Sequence, residues 1–162
     1  MSNFFEDLEI GRAAELGSHT FTREEIVDFA RRYDPQPFHL DEAAAKQSLF
    51  GALCASGWHT AAIWLRLMLD YRKRQADLMA FRGERAAHYG PSPGFEKLRW
   101  VKPVLAGDTL RFTTRITDKI DSRSRPGVGL VVSENEGFNQ HGVLAFSVIA
   151  KVFVERRTAL SG

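Results

Sequence analysis

Residues 33–41 read Y-D-P-Q-P-F-H-L-D, and residues 49–65 read L-F-G-A-L-C-A-S-G-W-H-T-A-A-I-W-L. The first stretch sets a carboxylate, Asp34, five residues ahead of an imidazole, His39, with Pro35 and Pro37 between them. Proline fixes φ and biases its predecessor away from helix, so D-P-Q-P predicts a stiff, extended connector. The second stretch is a small-residue loop that opens into the most apolar helical run of the chain. A helix starting there presents free backbone N–H groups and the positive end of its dipole. Acid, base and helix N-terminus together offer proton-transfer groups and a place for developing negative charge.

Upstream, Thr22 begins T-R-E-E, a capping-box pattern, and Ile26, Phe29, Ala30 and Tyr33 recur on one helix face. Asp34-Pro35 ends that helix, and Asp41 is placed to cap a short one through D-E-A-A-A-K-Q. Residues 9–21 alternate weakly and predict a peripheral strand. Ser56 caps the long helix, expected over about 57–75, apolar on nearly every side at first and charged later. Such a helix needs something wrapped around it. Residues 76–94 read as irregular. Beyond them, 95–101, 110–117, 128–133 and 143–154 predict strands. The last is apolar on both faces and is expected at the middle of a sheet. An antiparallel sheet around one helix satisfies these elements, an α+β arrangement within a single domain over 1–162.

The totals suit a soluble globular chain: 162 residues, 44% hydrophobic, 26% charged, net charge +2. That charge makes no case for nucleic acid, although 97–125 holds eight Lys/Arg against three Asp. The same segment suits an anionic ligand or a solvated strand face. One cysteine, Cys54, excludes an intrachain disulfide and fits a reducing compartment. The acidic N-terminus does not read as a signal peptide, and no apolar run reaches a membrane-spanning length. A cytoplasmic location is expected, with no membrane contact. The scattered histidines predict no metal site.

With the elements placed, the residues resemble a known family. D-P-Q-P-F-H-L-D, G-A-L-C-A-S-G-W at the helix start, and L-R-W-V-K-P-V-L-A-G-D-T-L (residues 98–110) are similar to the MaoC-like dehydratases, which include the (R)-specific enoyl-CoA hydratases. The resemblance covers roughly residues 10–155. It implies a hot-dog fold, with a five-stranded antiparallel sheet wrapped around a long central helix, and a homodimer. It also implies a place in fatty-acid metabolism and a substrate carried on CoA or acyl carrier protein, with no cofactor. Asp34 and His39 fall on the acid and histidine of the family's D-x-N-P-x-H motif. Gly57 falls on the glycine whose N–H serves the oxyanion hole. Gln36 stands where the motif has Asn, an amide carried on one more methylene.

On that resemblance the expected reaction is reversible hydration of a trans-2-enoyl thioester to a 3-hydroxyacyl thioester. Asp34, His39 and Gly57 are the expected catalytic groups. Gln36, Phe38, Phe50, Ser56, Trp58 and His59 are the expected substrate-binding residues. Lys97, Arg99, Lys102, Arg123 and Arg125 are looser candidates for carrier phosphates. Spacing alone leaves bland alternatives open. Asp34 also reads as a helix terminator, His39 as a half-buried histidine on a carbonyl, Ser56-Gly57 as a cap, His59 as structural and Cys54 as a small buried hydrophobe. Two other functions fit the fold, an acyl-CoA thioesterase and a non-catalytic acyl-thioester-binding subunit. The helix carries no acid between Trp58 and Leu69, which counts against the thioesterase.

Overall fold

The computed structural model describes residues 3–158, so the outermost residues of the expected 1–162 domain lie outside it. A 3-10 turn at Phe5–Asp7 leads into β1 (Ala13–Thr20) and α1 (Arg23–Tyr33). The capping box forms as the sequence predicts: the Thr22 hydroxyl accepts from the Glu25 N–H, and the Glu25 carboxylate accepts from the Thr22 N–H. Short helices α2 (Pro37–Leu40) and α3 (Glu42–Lys46) follow, the second capped by Asp41. The long helix α4 runs Gly57–Phe81, six residues beyond the expected end, with Ser56 as its cap.

Strands β2 (Gly94–Trp100), β3 (Thr109–Asp121), β4 (Val128–Phe138) and β5 (Leu144–Glu155) complete one antiparallel sheet in the order β1-β3-β4-β5-β2. The middle strand is therefore β4, where the apolar pattern pointed to β5. Strand β5 is interior, paired on both sides with β4 and β2. The polar letters of β4 disguised it, since Ser133 and Asn135 lie buried on its inner face, where the Asn135 amide donates to the Ser133 hydroxyl. This is the hot-dog arrangement, a sheet curling around α4.

Leu16, Phe21, Ile26, Met68, Leu110, Phe112, Phe146 and Val148 form the main core between α4 and the sheet. At roughly 1.5–3 kcal/mol per fully buried apolar side chain, this cluster is the main source of the helix's hold on the sheet. The helix is not buried all round. Trp58, Leu65 and Leu69 are about half exposed, since one sheet covers only one side.

The loop before α4 is tied to the segment that follows β2. Ala55 N–H donates to the Val104 carbonyl, and Ala106 N–H donates to the Leu53 carbonyl. That tie fixes the backbone at Cys54, on which the site depends.

Candidate active site

Asp34 ends α1, its N–H donating to the Ala30 carbonyl at 2.9 Å. Pro37 then occupies the first turn of α2, where its missing N–H costs nothing. This bend turns the His39 ring inward. Its Nδ1 lies 2.7 Å from the Cys54 carbonyl oxygen, which can only accept, so Nδ1 carries the hydrogen. In the neutral ring Nε2 is then an acceptor, and it lies 3.4 Å from Asp34 Oδ2.

Two acceptors at that separation do not bond each other. With the ring neutral, a water donating one hydrogen to each is the partner such a pair calls for. His39 is almost fully buried and Asp34 is 19% exposed on its side chain.

Burial acts to raise the Asp34 carboxyl, but hydrogen bonds from Ser56 and Gln36 and the neighbouring His39 outweigh it and hold it below the ordinary aspartate value. The Gln36 amide donates to Asp34 Oδ1 at 2.7 Å. The residue that departs from the motif thus binds the acid directly. Ser56 is buried and serves twice, as a partner of Asp34 and as the cap that accepts from the Trp58 N–H at 3.2 Å.

Asp34, Gln36 and His39 face a cavity of about 360 Å³. Phe38, Phe50 and Trp58 form aromatic walls, with Phe38 and Phe50 in tilted contact at 5.0 Å. Gly57 lies on the wall in the first turn of α4, where its N–H has no intrahelical acceptor. The sequence suggested glycine there for close ligand approach; the structure adds a packing reason. A methyl group at residue 57 would overlap the Trp100 indole.

Not every expected residue reaches the cavity. His59 turns away from it, stacking on Phe29 at 4.7 Å and meeting Phe21 edge-on. Burial drives its imidazole down to about 4, so it stays neutral. Its substrate-binding assignment is corrected to a packing role. Ser56 acts behind Asp34 and not on the cavity wall. Of the loose cationic candidates only Lys102 lines the cavity. Arg125 lies over the Phe153 ring, Lys97 sits within the bulge of β2, and Arg99 resumes the pairing after it. Cys54 is buried and its thiol is pushed up to about 11 by burial, which leaves it protonated.

Of the second wall, Trp100 to Val104, sequence reasoning singled out Lys102 alone and did not place Trp100, Val101, Pro103 or Val104 at the site. Among the described residues no group of three or more His, Cys, Asp or Glu is placed to hold a metal, and no helix is long and apolar enough to cross a membrane.

A sheet curled around one helix, with a carboxylate and an imidazole beside that helix's N-terminus, defines a hot-dog protein. The profile of the MaoC like domain matches residues 7–138. The chain belongs to the MaoC-like dehydratase family. It is 27% identical over 151 residues to the uncharacterized protein YdeM of Bacillus subtilis (strain 168), spanning 93% of this chain and 98% of that protein. The crystal structure of the MaoC-like dehydratase from Rhodospirillum rubrum superposes with a TM-score of 0.80 at 36% identity, covering 97% of this chain and 99% of that one. The (R)-hydratase from A. caviae involved in PHA biosynthesis gives 0.63 at 25% identity, covering 91% and 97%.

Proposed function

We propose that the protein is a hydro-lyase that reversibly hydrates a trans-2-enoyl thioester, carried on CoA or acyl carrier protein. The observation that carries this reading is the pair of acceptors, Asp34 Oδ2 and His39 Nε2, set 3.4 Å apart on a cavity that also reaches Gly57. One water held between them attacks C3. Its proton passes to the pair as the C2–C3 electrons shift onto the thioester oxygen, where the Gly57 N–H and the helix dipole meet the charge. Return of a proton to C2 restores the carbonyl and leaves the pair as it began. This scheme needs no cofactor.

The test is loss of the enoyl absorbance of crotonyl-CoA. Asp34→Asn and His39→Gln are expected each to lower kcat by about 10²–10⁴-fold, with thermal unfolding little changed. Hydration at near-wild-type rate by either variant overturns the assignment. Release of free thiol instead identifies a thioesterase, and binding with neither signal a non-catalytic subunit.

A homodimer belongs to the same reading. Trp58, Leu65 and Leu69 share one face of α4, and Phe95 and Trp100 stand exposed on the edge strand β2. A second copy laid against this side would cover both.

A further inference from the structure

A second cavity of about 90 Å³ lies between the later half of α4 and the inner face of the sheet. It shares no lining residue with the Asp34–His39 cavity. Arg72, which lines it, is fifteen residues past Gly57, so roughly 22 Å farther along the helix axis.

Charge makes this cavity unusual. Other cations of α4 are accounted for: Arg66 pairs with Asp70, Lys73 pairs with Asp77, and Arg74 donates to the Leu16 carbonyl. Arg72 has no carboxylate within 4.0 Å among the described residues; its guanidinium instead lies over the Tyr89 ring, 4.5 Å from the centroid. Arg12, on the same cavity, likewise has no carboxylate partner among the described residues. Burial raises the Tyr89 phenol while Arg72 and Arg12 pull it back, so the three groups lie within electrostatic reach of one another. A partly buried guanidinium facing a ring recovers only part of its lost hydration. Two unmatched cations and a phenolic donor converge where an anion would complete the balance.

Most of the remaining surface is apolar, with Met68, Met79 and Val131 among it, although Gln75, Thr114 and Ser133 also reach the cavity. A fully hydrated inorganic ion gains nothing from such a surface, whereas a hydrocarbon tail does. At about 90 Å³ the cavity holds several water-sized groups, room for a carboxylate and two or three carbons. We propose that this cavity binds a short-chain aliphatic carboxylate, its head held by Arg12, Arg72 and Tyr89 and its tail resting on Met68 and Met79. The proposal is independent of the hydro-lyase reading.

The experiment uses protein labelled with 13C at the methionine methyls, titrated with sodium butyrate at constant ionic strength. Signals are assigned through Met68→Leu and Met79→Leu. Both are expected to shift saturably with butyrate, and inorganic phosphate at the same concentration is expected to shift neither. Arg72→Leu and Arg12→Gln should each weaken butyrate by roughly tenfold or more, the scale of one hydrogen bond to a charged group. The response should persist in His39→Gln, which separates this cavity from the first. A wild-type protein without saturable shifts overturns the proposal. So does phosphate acting as well as butyrate, or unchanged affinity in both arginine variants of folded protein.

Discussion

Removing the Gln36 amide should raise the Asp34 carboxyl and cost the fold stability at neutral pH. The donor lies 2.7 Å from Oδ1, and it is one of three favourable influences opposing the burial that acts to raise this group. A hydrogen bond to a charged group is worth about 1.5–3 kcal/mol, and the 19% exposure of Asp34 argues for the lower end after solvent screening. Gln36→Ala should therefore weaken the hold on the ionised carboxylate by about 1.5 kcal/mol and move its titration upward. The assay is a pH titration of the Asp34 13Cγ shift, assigned through Asp34→Asn. Because the folded carboxyl lies below its unfolded value, its stabilising contribution is present above the unfolded pKa and disappears as pH falls through the folded one. The variant should therefore lose about 1.5 kcal/mol of stability at pH 7, and the difference should vanish under strongly acid conditions. Gln36→Asn, with a side chain shorter by one methylene, should behave like the alanine variant because its amide no longer reaches Oδ1. A titration midpoint that stays in place or moves down in Gln36→Ala would refute this account of the acid.

Three further outcomes follow from the packing. Gly57→Ala should destabilise the fold by about 1–3 kcal/mol in denaturant unfolding, because its new methyl displaces the Trp100 indole. His59 is neutral when folded, its imidazole driven down to about 4, while the unfolded chain takes up a proton near pH 6.5. Stability should thus decline as pH falls from about 6.5 towards 4, and His59→Phe should flatten that decline in thermal melts taken across the interval. Leu69→Arg, on the exposed face of α4, should halve the mass measured by light scattering while leaving the circular dichroism of the chain unchanged; equal masses for variant and parent would remove the proposed helix-face interface.

Local signals in the sequence were read correctly where the chemistry is local. The Thr22–Glu25 box, the Asp41 and Ser56 caps and the alternation through Leu110 and Phe112 each depend on residues a few positions apart, and each appears in the structure. The errors arise where distant segments meet. The later half of α4 reads as charged and solvent-bound, yet its charges sit mainly on Lys73, Arg74 and Asp77. Arg72 and Met79 line the second cavity instead. The even greasiness of the first half suggested burial on all sides, but the described sheet covers one side and leaves Leu65 and Leu69 open. His59 was grouped with the site because it lies two residues past Gly57. A helix turns about 100° per residue, so that neighbour faces a different wall.

The geometry of the acid–base pair rests finally on a backbone carbonyl that no side-chain motif encodes. Cys54 supplies the acceptor that sets the His39 tautomer, and any residue has such an oxygen. What makes this one effective is its fixed position, held because Leu53 and Ala55 bond to Ala106 and Val104 on the far side of β2. Those bonds flank the segment that forms the second wall of the cavity. The same short ladder therefore orients the imidazole and closes the cavity around it. That coupling ties the D-P-Q-P-F-H bend to Val104 and Ala106, which lie 65 and 67 residues beyond His39.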